Sequence, residues 1–165
     1  KYELEIVGRG PDERTLQELA SRLGVAHEIR FSGSLDRAAV AQRYRDAHLF
    51  TLPSSAEAFG NVFAEALASG LPVVGSNVGG IPELIEHGVN GLLVTPGNPG
   101  ALAQAIQYLA DDPELRSEMS VRNRAKAEAT LEWSHVVKRY LSIYEGVMHQ
   151  LPVPQLVTEP TVSAL

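Results

Sequence analysis

LPSSAEAFGNVFAEALASGLPVV, residues 52–74, holds a turn, a helix and a strand in one short stretch, together with two acids that have no obvious partner. Pro53-Ser54-Ser55 is turn chemistry. The run from about Gly60 to Ser69 reads as a helix stopped by Gly70. Leu71 to Gly75 is a compact apolar run of the kind a strand buried on both faces requires. The acids, Glu57 and Glu65, stand in a region otherwise small, apolar or turn-forming, and no Lys or Arg occurs between Arg45 and Arg116. Carboxylates so far in sequence from any cation are placed for something outside the chain.

One continuous helix would separate the two acids by about 12 Å along its axis, too far to share a metal or a proton. The expected arrangement therefore has Glu57 in the loop before the helix, Gly60 at the entry and Glu65 one to two turns inside. Between them fall the backbone amides of Phe59, Gly60, Asn61 and Val62. First-turn amides lack helical acceptors and carry partial positive charge, and a glycine lets an anion reach them. Carboxylates accept well from paired hydroxyls. The order acid, anion seat, acid thus suits a diphosphate with a hydroxyl-rich group at each end. An isolated glutamate on a helix is ordinarily solvated, but Glu65 has Asn61, Val62, Ala68 and Ser69 at three and four positions, a small-residue face open to close approach.

Outward from this stretch the pattern repeats. Tyr2 to Val7 is a strand closed by Gly8-Arg9-Gly10, and Leu16, Leu19, Ala20 and Leu23 recur at helical spacing up to Gly24. Glu28 to Phe31 forms a second strand, Asp36 caps a helix running to Arg45, and Ala47 to Leu52 is a third strand. After residues 52–74 come Gly79-Gly80, a short helix from Pro82 to Glu86, and a last strand, Leu92 to Val94. Apolar strands alternating with helices predict an α/β fold, a Rossmann-like parallel sheet with helices on both faces. Three helices follow: Ala101 to Leu109, Pro113 to Thr130, and Trp133 to about Gln150. The domain is expected to span residues 1–150, with 151–165 a flexible tail rich in proline.

The 165 residues suffice for one domain with a real core, and 44% hydrophobic content is globular. A formal charge of -6 opposes nucleic-acid or anionic-lipid partners. No apolar run is long enough to span a membrane. There are no cysteines, hence no disulfide framework, and the five histidines lack paired ligand spacing, so no metal and no cofactor are expected. Gly8-Arg9-Gly10 is not a dinucleotide fingerprint, because Glu13 stands where its third glycine would fall. Ser54-Ser55 lies outside any nucleophile elbow. His48 reads as structural, Glu83 and Glu86 as a solvated helix face, Trp133 as a core anchor, and Arg9 as a solvated turn residue.

Glu57 and Glu65 with Phe59-Gly60 between them resemble the signature of GT-B glycosyltransferases, most closely the retaining family 4 type. The resemblance extends through LEIVGRGP at 4–11, RFSG at 30–33, GGIPELI at 79–85, NGLLVTPGN at 90–98 and Trp133-Ser134. It covers the C-terminal, nucleotide-sugar-binding domain of that family. It implies transfer of a sugar from a UDP- or GDP-linked donor with retention. Glu57 is then the candidate catalytic residue that orients the donor sugar, and Glu65 holds the ribose diol. The amides of Phe59 to Val62 meet sugar and diphosphate, the base lies near Ser34-Leu35 and Leu52-Pro53, and Gly8 is a further donor-binding residue. Asn77 and Asn61 depart slightly from the common pattern. The alternatives are an inactive nucleotide-sugar-binding fragment and a nucleotide-sugar epimerase-like domain. A cytoplasmic enzyme, peripheral to the membrane through another domain, is the implied setting.

In that family a first strand, a basic loop and an N-terminal acceptor domain precede the point where this sequence begins. The first strand of a doubly wound sheet lies between the second and fourth. Without it the sheet is expected to break in the middle, leaving strand edges unpaired or closed by dimerisation or strand exchange.

Overall fold

The computed structural model describes residues 2–148. In chain order they form β1 (Leu4–Val7), α1 (Glu13–Arg22), a 3₁₀ turn (Ala26–Glu28), β2 (Ile29–Gly33), α2 (Arg37–Asp46), β3 (Phe50–Leu52), α3 (Asn61–Ala68), β4 (Val73–Ser76), α4 (Ile81–Leu84), β5 (Gly91–Val94), α5 (Pro99–Asp111), α6 (Pro113–Thr130) and α7 (Trp133–Met148). The fold is α/β, and every strand pairing is parallel.

The strands make two sheets rather than one, β1–β2 and β3–β4–β5. The expected break is there: β1 and β3, which a middle strand would separate, each pair on one side only among the described residues. Burial is deepest in the three-stranded sheet. All four residues of β4 are buried, whereas no residue of β1 or β2 is. Alternation along β4 divides the core. Val73 joins Phe63, Leu67, Ile81 and Leu84 on one face, and Val74 joins Leu92, Leu109 and Met119 on the other.

Local chemistry sets the helix ends. Beyond α1, Gly24 takes φ = 73°, Gly24 N donates to Ser21 O and Val25 N to Ala20 O, the paired bonds of a Schellman stop. Asp36 caps α2 by accepting from Ala39 N at 2.8 Å, as its sequence position predicted. Asn98 and Asp112 cap α5 and α6 in the same way, accepting from Ala101 N and Leu115 N. Asp112→Ala is expected to cost about 1 kcal/mol and lower Tm by about 3 °C in a calorimetric melt. The α4 helix stops earlier than expected because Ile85 turns extended and the Asn90 side chain accepts from Glu86 N at 2.7 Å.

Trp133 is not a core anchor. It opens α7 with 81% of its surface exposed, and the only buried residue described on that helix is Gly146. The expected continuation of α7 to Gln150 and the tail at 151–165 lie outside the described residues. No described helix is long and apolar enough to cross a membrane.

Candidate functional site

The loop between β3 and α3 brings Glu57 to the tip of α3. Gly60 is the N-cap, with φ = 89° and ψ = 53°. A β-carbon there would stand 3.1 Å from the Phe63 ring, so glycine suits both the conformation and the space. Glu57, half-buried, accepts from Gly60 N through Oε1 at 3.1 Å. This corrects one expectation: the Gly60 amide is occupied by the neighbouring acid rather than open to a ligand. Among the described residues the amides of Phe59, Asn61 and Val62 have no acceptor, so an anion seat of three amides remains.

The acid loop is held by a second glycine pair. A β-carbon on Gly79 would lie 1.7 Å from Glu57 O, and one on Gly80 would lie 2.5 Å from Ala58 O. Only bare backbone lets the β4–α4 turn close this tightly on residues 57–59, and Gly80 N points at Glu57 O from 3.4 Å.

Glu65 is exposed on α3, just beyond its first turn, and its Oε2 accepts from the Tyr44 hydroxyl at 3.3 Å. The same hydroxyl also lies 3.2 Å from Val62 O, within reach as an alternative acceptor. Burial first, then the charge of Glu65 and the hydrogen bond to it, hold the Tyr44 phenol well above its ordinary pKa. Sequence reasoning missed Tyr44, which lies on α2. Its one available signal is an aromatic residue among the polar and charged residues of that helix.

Neither Glu57 nor Glu65 forms an ion pair with a basic side chain among the described residues, as the scarcity of cations implied. Gly8, Ser34 and Leu35 sit at the carboxyl ends of β1 and β2, where Gly8 N donates to Gly33 O at 2.7 Å. No described hydrogen bond joins those three residues to the α3 tip. The link runs through α2, which starts just after Leu35 and reaches α3 through Tyr44. Arg9 is exposed, as expected, and its guanidinium lies over Gly33, where a β-carbon would meet Nε at 3.3 Å. Two open surface depressions, one on α1 around Arg14 and Glu18 and one on α5 around Gln104 and Tyr108, include neither glutamate. No group of three or more His, Cys, Asp or Glu among the described residues stands close enough to hold a metal.

The arrangement offers open amides at a helix tip, flanked by two carboxylates free of cations. The sequence profile of the family described as glycosyl transferases group 1 matches residues 1–126. The chain belongs to that family. This glycosyl transferase domain is 38% identical over 146 residues to N-acetyl-alpha-D-glucosaminyl L-malate synthase of Bacillus anthracis, covering 88% of the chain and 38% of the relative. Among solved structures it is similar to Anabaena HepE in complex with UDP, at 31% identity and a TM-score of 0.76, over 90% of the chain and 41% of HepE. A further HepE structure holds UDP-glucose. The C-terminal domain of a group 1 glycosyl transferase of Francisella tularensis is similar at 26% identity and a TM-score of 0.69, over 75% of the chain and 66% of that domain. The chain spans about two fifths of the length of the B. anthracis and Anabaena proteins.

Proposed function

We propose that this domain binds the donor of a retaining, family 4 type GT-B glycosyltransferase, with UDP or GDP as the nucleotide and an acceptor held by a separate domain. The observation that carries the reading is the α3 tip, where the amides of Asn61 and Val62 stay open between Glu57 and Glu65. HepE, solved with UDP and with UDP-glucose, favours UDP as the first nucleotide to test. As the glycosidic bond to diphosphate breaks, negative charge grows on the departing phosphate. Preorganised amides and the positive end of α3 stabilise that charge more than the ground state. Glu57 keeps one oxygen on Gly60 N, which fixes the carboxylate and leaves its other oxygen to accept from sugar hydroxyls. Glu65, further along α3, takes the ribose diol. Ser34 and Leu35 border the base, Gly8 is a further donor-binding residue, and Phe59 contributes its amide. The reading asks for no metal, so EDTA is expected to leave nucleotide affinity unchanged.

Calorimetric titration of UDP, GDP and UDP-glucose into the chain and two variants tests these roles. Glu65→Gln is expected to weaken UDP and UDP-glucose alike by about ten-fold, whereas Glu57→Gln weakens UDP-glucose by a similar factor and leaves UDP nearly unchanged. Glutamine at 57 still accepts from Gly60 N, so the loop is retained. Wild-type affinity for UDP-glucose in both variants would overturn the assignment. A second reading, binding without transfer by this chain alone, is favoured by the absence of any Lys or Arg at 46–115 to meet a diphosphate. Nucleotide binding with no sugar-transfer product would support it.

A further inference from the structure

The geometry points to Tyr44 as a positioning residue that aims the Glu65 carboxylate at the nucleotide ribose and so sets the preference of this domain for ribose over deoxyribose. The inference rests on the reading of Glu65 as the ribose-side acid. Three observations carry it. The Tyr44 ring meets Phe50 edge-on with centroids 5.6 Å apart, and Phe50 meets Phe63 the same way at 5.2 Å. Phe63 is fully buried, so this row of rings runs from α2 through β3 into the core beneath the α3 tip, and the hydroxyl at its outer end has little freedom. That hydroxyl reaches two groups on one helix, Val62 O at 3.2 Å and Glu65 Oε2 at 3.3 Å. The second point concerns what else holds Glu65: no basic side chain pairs with it among the described residues, and the Tyr44 hydroxyl is its only described side-chain donor. An exposed glutamate side chain explores several rotamers in water, and freezing them on ligand binding costs affinity. A donor fixed by ring packing removes part of that cost in advance.

The third observation is one of proton count. A phenol carries one hydrogen, and between a neutral carbonyl and a carboxylate the charged acceptor makes the stronger bond. With Oε2 held by Tyr44, Oε1 is left to accept from one ribose hydroxyl, and the second lone pair of Oε2 from the other. This geometry rewards an intact diol and gives nothing to a sugar that lacks it. Tyr44 itself need not touch the ligand.

The test uses the chain, its Tyr44→Phe and Glu65→Gln variants and the double variant, titrated with UDP, GDP and their 2′,3′-dideoxy counterparts. Phenylalanine keeps the ring packing, and an unchanged melting profile verifies that the fold is intact. Tyr44→Phe is expected to lower the preference for the ribose form about five-fold while affinity for the dideoxy form stays constant. In the Glu65→Gln background the same substitution is expected to change the preference no further. A tyrosine that only braces α2 against α3 would weaken both forms equally, and that result overturns the proposal. If Glu65→Gln leaves the ribose preference intact, or if wild-type chain binds neither nucleotide, the assignment of Glu65 fails first and the role of Tyr44 falls with it. Loss of preference in Glu65→Gln with full preference in Tyr44→Phe overturns the Tyr44 role alone.

Discussion

Gly79→Ala is expected to destabilise the domain by about 4 kcal/mol, lower Tm by about 10 °C and abolish nucleotide binding. The added methyl would stand 1.7 Å from Glu57 O and 2.8 Å from Glu57 C. Both are backbone atoms, so no rotamer change relieves the overlap, and the 57–59 loop must move away from the β4–α4 turn. The same residue sits at φ = 53°, where an L side chain adds strain. Gly88→Ala isolates the second effect, because Gly88 has φ = 80° but nothing within 4 Å of the added methyl. It is expected to cost only about 1 kcal/mol and to leave binding intact. Chemical denaturation of both variants, followed by UDP titration, reads the difference. Equal stabilities would mean that the turn and the acid loop are not locked together.

Asn123→Ala is the second large effect, about 3 kcal/mol, and it arises on α6. Asn123 lies fully buried on α6 and donates from Nδ2 to Leu71 O at 2.7 Å and to Asn90 O at 2.9 Å. One side chain thus ties α6 to the chain entering β4 and to the turn entering β5. Its Oδ1 has no partner among the described residues, so the amide is retained for what it donates. Alanine leaves two carbonyls without a donor and a cavity in the core. Asn123→Asp keeps the shape but sets oxygen against both carbonyls, and it is expected to cost at least as much at neutral pH. If Asn123→Asp melts like the wild type, volume rather than hydrogen bonding is what the site requires.

Features fixed by neighbouring residues were legible in the sequence. Gly60 before a run of helix formers marked the start of α3, Asp36 marked that of α2, and the placement of Glu57 in the loop and Glu65 inside the helix followed from those ends. What the sequence hid depends on contacts across long separations. Tyr44 meets Glu65 twenty-one positions away, and Asn123 meets Leu71 fifty-two positions away, distances over which spacing carries no signal. The Glu57 bond to Gly60 N was missed for a different reason. An acid three residues ahead of a helix entry can fold back onto an amide there, and residue spacing alone does not show whether it does. Trp133 departs from expectation because a large aromatic is usually buried, and here no described element covers it. The division into two sheets was not visible in hydrophobic periodicity. It followed from the family resemblance and the order of strands in a doubly wound sheet.

That division gives the molecule two levels of protection against solvent exchange. Ala20 is the only buried residue between Leu4 and Gly33, whereas β4 is buried throughout and lies between two apolar clusters. Amide protons of β1 and β2 should therefore exchange through small local openings, while those of Val73 and Val74 wait for the whole domain to open. A deuterium uptake time course would resolve the early segment from the late one, and calorimetry would record a broad, low-enthalpy shoulder ahead of the main transition.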